Sequence, residues 1–67
     1  MDRADGRLSD IAHAHWPGAV VWATATGWEL RRPGVPAVAL GEPGDRYPRA
    51  ARALRALIRA AREEESR

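Results

Sequence analysis

Between Arg46 and Arg62 the chain carries no acidic residue, and its arginines recur at Arg49, Arg52, Arg55, Arg59 and Arg62. At ~100° per residue, steps of three and four put all five on one arc of roughly 140° of an α-helix. Ala50, Ala53, Leu54, Leu57, Ile58 and Ala61 share the opposite arc. A helix with this pattern buries one stripe only, so the rest of the chain must offer an apolar surface to receive it. The spacing predicts a helix over 46–64. Asp45 or Tyr47 is its expected N-cap, with Pro48 in the first turn. Glu63, Glu64 and Glu65 sit at the negative end of the helix dipole, so the last turn is expected to fray.

That receiving surface has to come from few residues. Sixty-seven residues make one small domain, expected over 1–67, with a thin stability margin. Cysteine is absent, so no disulfide and no thiolate–zinc site supplements the core. A homodimer is therefore left open.

Residues 1–6 are polar and expected to be disordered. Over 7–15, Leu8, Ile11, Ala12 and His15 follow the i, i+3, i+4, i+7 pattern of a short helix, which Trp16-Pro17-Gly18 stops. Residues 19–40 change character and predict a β-meander. Its strands are Ala19 to Ala25, Trp28 to Arg32 and Val35 to Leu40, with turns at Thr26-Gly27 and Pro33-Gly34. Pro36 cannot donate to a ladder, so the third strand is expected to be an edge or to begin after it. The expected fold is α+β: a short N-terminal helix, a three-stranded antiparallel meander, and a long C-terminal amphipathic helix packed on the sheet. The first helix would close an end or an edge.

The three tryptophans build the core in the simplest reading, since a small domain needs bulky residues. Trp28 shares a strand face with Leu30, and Trp16 packs at the helix exit. Trp22 depends on which strand face is buried. Core burial is expected, but if the Val21 face is the inner one, Trp22 is exposed and free to stack on a base or fill a partner's pocket.

Catalysis has little to work with. His13 and His15 are two residues apart and point in nearly opposite directions on a helix, and Asp10 with His13 gives too few ligands for a metal. No acid–base pair or nucleophile constellation involves Ser9, Thr24 or Thr26. Gly41-Glu42-Pro43-Gly44 lacks the lysine and glycine pattern of a phosphate loop. The expectation is a non-enzymatic protein without cofactor or metal, and no small-molecule substrate is inferred. No stretch approaches the ~18 apolar residues of a membrane span, and no apolar run follows the charged start. A cytoplasmic location is expected.

All eleven basic residues are arginine. Alanine and arginine have GC-rich codons, so a high-GC genome accounts for the missing lysine. It does not account for the shared helical face. Residues 1–45 hold four arginines against six acids, whereas 46–67 hold seven against three, a segment contrast that suggests an anionic partner. A merely solvated face is the plain alternative, with Arg59–Glu63 and Arg62–Glu65 as weak local pairs. A membrane surface fits poorly, because the apolar face is mostly alanine without an aromatic anchor.

Leu8 to Leu40, with Trp16-Pro17-Gly18 and Gly27-Trp28-Glu29-Leu30-Arg31-Arg32-Pro33-Gly34, resembles a type of small uncharacterised protein from high-GC, actinobacterial-like bacteria. The resemblance covers about half the chain and implies no established activity. The order meander–helix is also similar to the small DNA-binding domains of some integrases, which lay the sheet in the major groove. That similarity implies Glu29, Arg31 and Arg32 as polar readers.

Two functions are expected from these residues. The first is a small regulatory module contacting nucleic acid through Arg49, Arg52, Arg55, Arg59 and Arg62, assisted by Arg31 and Arg32 and with Trp22 as a stacking residue. The second is a protein-interaction module, either a homodimer or an adaptor to an acidic protein partner, with no nucleic-acid role.

Overall fold

The computed structural model describes residues 3–66. Its elements run β1 (Arg3–Ala4), α1 (Gly6–His15), β2 (Val20–Ala23), β3 (Trp28–Arg32), β4 (Val35–Ala39) and α2 (Tyr47–Glu65). The sheet is antiparallel throughout, in the order β1-β2-β3-β4. The α+β class, the short first helix, the three-stranded meander and the C-terminal helix packed on it are all present. The meander forms β2, β3 and β4, and β1 adds a short fourth strand.

That extra strand corrects the disorder expected over residues 1–6. Arg3 and Ala4 pair with Ala23 and Trp22, and Asp5 caps α1 by accepting the Leu8 N–H at 2.8 Å. Met1 and Asp2 lie outside the described residues. A two-residue strand leaves the next position of β2 without a partner strand. Two other groups complete the ladder there. The Asp5 N–H donates to the Val21 carbonyl at 2.8 Å, and the Val21 N–H donates to Ser9 Oγ at 2.9 Å. The Ser9 hydroxyl also donates to the Val21 carbonyl at 3.3 Å. One serine thus docks α1 onto β2.

Side-chain alternation decides the layers. Val21 and Leu30 are directly paired and fully buried. They meet Leu8 and Ala12 of α1 and Ala50, Leu54 and Ile58 of α2 in one core, closed by Ala19 and Leu40. The first helix therefore shares the core with α2 and does not merely close an end. Trp28, on the same strand face as Leu30, packs against this core.

The loops differ from expectation in instructive ways. The β2–β3 connection covers Thr24 to Gly27 and not Thr26-Gly27 alone: Thr24 Oγ1 accepts the Gly27 N–H at 3.0 Å, and the Thr24 N–H donates to the Gly27 carbonyl at 2.7 Å. Gly18, at φ 87°, follows Pro17 and donates to His13 Nδ1 at 2.9 Å. His13 is thereby a clasp on the helix exit. The N-cap of α2 is Arg46, without a side-chain cap bond, so neither Asp45 nor Tyr47 takes that role. Asp45 turns back to accept the Glu42 N–H at 2.7 Å, closing its loop. α2 is helical to Glu65, and Ser66 caps it, its N–H and hydroxyl both donating to the Arg62 carbonyl.

Val21 is fully buried, so losing the Ser9 hydroxyl strands a backbone donor away from water. Ser9→Ala should lower the urea unfolding free energy by about 1–3 kcal/mol. An unchanged unfolding midpoint would show that this tie contributes nothing.

Candidate functional site

Burial of Ala50, Leu54 and Ile58 fixes the rotation of α2 about its axis. Arg49, Arg52, Arg55, Arg59 and Arg62 are consequently all exposed. From Arg49 to Arg62 the stripe extends about 20 Å along the axis.

Its electrostatics are nearly uncompensated. Arg49 has a carboxylate within reach, Asp45 Oδ1 at 3.6 Å. Among the described residues, Arg52, Arg55, Arg59 and Arg62 have none within 4 Å. The Arg59–Glu63 and Arg62–Glu65 pairs that a solvated face could form are absent among the described residues. Glu65 leans instead toward His15, with Oε1 3.9 Å from Nε2. Neighbouring arginines along the stripe are three or four residues apart, and each such like-charge contact costs roughly 0.2–0.5 kcal/mol.

Arg31 and Arg32 are used differently. Arg31 pairs with Val20 in register, on the sheet face away from Val21 and Leu30 and therefore away from α2. Its guanidinium lies 4.8 Å over the Trp22 ring and its Nε donates to Glu29 Oε1. Arg32 is half-buried, with its guanidinium 4.9 Å over the Trp16 ring. These contacts are cation–π interactions worth about 0.5–1 kcal/mol at exposed sites. The outer sheet face thus balances one arginine with one glutamate. The helix face, by contrast, carries arginines of one sign.

Trp22 is a second correction. It lies on that outer face, half-buried beneath Arg31, and takes no part in the core. One side of its ring already carries a guanidinium. Trp28 is the opposite case. It packs against the core, its indole N–H donates to the Asp45 carbonyl at 3.1 Å, and its ring meets Tyr47 edge-on at 6.0 Å.

Sequence patterning missed one site. Where α1 and α2 run together, Ile11, Ala14 and His15 face Arg55, Ile58, Arg59 and Arg62 across a groove. The pairing is tertiary, and no local spacing signals it.

The two tryptophan environments predict unequal penalties. Trp28→Ala should cost about 3–5 kcal/mol, as for a large core side chain, and Trp22→Ala clearly less. Equal losses in chemical denaturation would contradict the outer-face position of Trp22. Among the described residues no helix is long and apolar enough to cross a membrane. Compared with known protein families, with curated proteins and with solved structures, the chain returns no match.

Proposed function

We propose that the protein is a non-enzymatic regulatory module that binds nucleic acid through Arg49, Arg52, Arg55, Arg59 and Arg62. The observation carrying this is the absence, among the described residues, of any carboxylate within 4 Å of the last four. Guanidinium forks match phosphate oxygens, and phosphates spaced along a strand relieve the repulsion that the stripe otherwise bears. An α-helix presenting one free face also suits the width of a DNA major groove. Arg31 and Arg32 are left out of this contact, since each already covers a tryptophan ring. A cytoplasmic location accompanies the proposal, because nucleic acid is met there.

An alternative function is protein interaction, as a homodimer or an adaptor to an acidic partner. It is favoured by β4, an uncharged edge strand in which only Val38 is not exposed and Val35 stands 46% exposed. Unpaired strand edges of this kind invite another chain.

Salt titration tests the first function. Contact with three to five phosphates should give a log–log slope of roughly −3 to −4.5 on duplex DNA. Reversing Arg52, Arg55 and Arg59 to glutamate should abolish binding and leave the circular dichroism spectrum intact. A wild-type chain that binds neither DNA nor RNA at low salt, and sediments as a dimer, would transfer the case to protein interaction.

A further inference from the structure

The C-terminal turns of α1 and α2 come side by side, as the approach of His15 to Glu65 shows. Between the helices lies a groove of about 520 Å³, within the range of small-molecule sites, which run from about 300 to 1,000 Å³. Its walls divide by chemistry. Ile11, Ala14 and Ile58 make an apolar floor, while Arg55, Arg59 and Arg62 stand along the α2 rim. His15 closes the lining, and its Nε2 is buried without a hydrogen-bond partner. Its nearest acid, Glu65, is too distant for a hydrogen bond.

A free phosphate would answer the guanidiniums and leave the floor wet. A neutral apolar molecule would do the reverse. Both demands are met by one molecule with an anionic head and an apolar body. We propose that this groove binds a small anionic amphiphile, of which a medium-chain carboxylate is the simplest case. The carboxylate takes two acceptor positions against Arg55 and Arg59, and the chain lies on Ile11, Ala14 and Ile58. Each methylene laid on that floor adds about fourfold in affinity.

Other occupants fit less well. A bilayer needs an outward apolar helix face, but Ala50 and Leu54 are fully buried against the core. An acidic helix needs anchors over two turns of both walls, and α1 contributes only positions 11 to 15, roughly 6 Å of rise. The proposal stands apart from nucleic-acid binding, although Arg55, Arg59 and Arg62 belong to both surfaces.

The test is titration of the full chain with octanoate and decanoate, followed by calorimetry and by NMR of the Ile11 and Ile58 methyl groups and the His15 ring. Both ligands should shift these signals saturably, with decanoate binding about fifteenfold tighter. Octanol and acetate, each lacking one half of the recognition, should leave them in place. Ala14→Phe fills the groove from an exposed position and should abolish carboxylate binding while DNA affinity is retained. Paired Arg55→Gln and Arg59→Gln changes should weaken decanoate at least tenfold. Glu65→Gln, which removes the acid nearest His15, should strengthen it. Octanol binding as well as octanoate would overturn the proposal, as would decanoate binding that survives Ala14→Phe. Sedimentation with phosphatidylglycerol vesicles, unaffected by Ala14→Phe, would assign the arginines to a membrane surface and also overturn it.

Discussion

What the protein shows to solvent depends on how α2 is rotated: burial of Ala50, Leu54 and Ile58 fixes that rotation, and Trp28 anchors the start of the helix. Its ring sits against the core, its indole N–H holds the Asp45 carbonyl, and Tyr47 packs on its edge. The backbone is thus fixed one residue before the helical cap and at the first helical residue. From there the 3.6-residue repeat carries the phase along nineteen residues. Leu54 and Ile58 fall inward, and every arginine of the stripe falls outward. One buried stripe thus orients a charged surface about 20 Å long.

The thin core makes each such tie count. Among the described residues, the fully buried large side chains are only Leu8, Leu30, Leu40, Leu54 and Val21. In a domain this small, hydrophobic burial barely exceeds the conformational entropy lost. Backbone groups at the ends of short elements then become decisive. Ser9 completes a ladder that a two-residue strand cannot, and Asp45 closes a loop through the Glu42 N–H. Gly41 permits that closure, because a β-carbon there would stand 2.5 Å from Asp45 Oδ2.

Periodicity made the long elements legible. The arginine and alanine–leucine arcs of α2, the Leu8–Ala12 face of α1 and the Trp28–Leu30 alternation all depend on local spacing, and the structure follows them. What depended on tertiary pairing was not legible. Trp22 could be assigned to a face only once Val21 was seen to meet Leu30. Arg31 and Arg32 read as free charges, although each covers an indole ring. The first strand was invisible because two residues carry no period. The groove between α1 and α2 is of the same kind: His15 and Arg59 are far apart in sequence, and nothing local joins them.

The contrast among arginines bears on whether the stripe is an accident of composition. A genome rich in GC places arginine wherever a cation is tolerated, and it does so on both sides of this protein. On the sheet, Arg31 has an indole and a glutamate, and Arg32 has an indole. On α2 the chain has three glutamates within one turn of Arg62, the first of them four residues from Arg59, yet Glu65 turns to His15 and neither arginine is paired among the described residues. Compositional bias explains the residue type equally in both places, but it predicts no difference in how the charges are satisfied. The difference follows from position: the sheet arginines stabilise the fold through tryptophan, whereas those on the helix are held in a repelling row with their hydrogen-bonding capacity unspent. Such a row gains most from a ligand that brings its own negative charge.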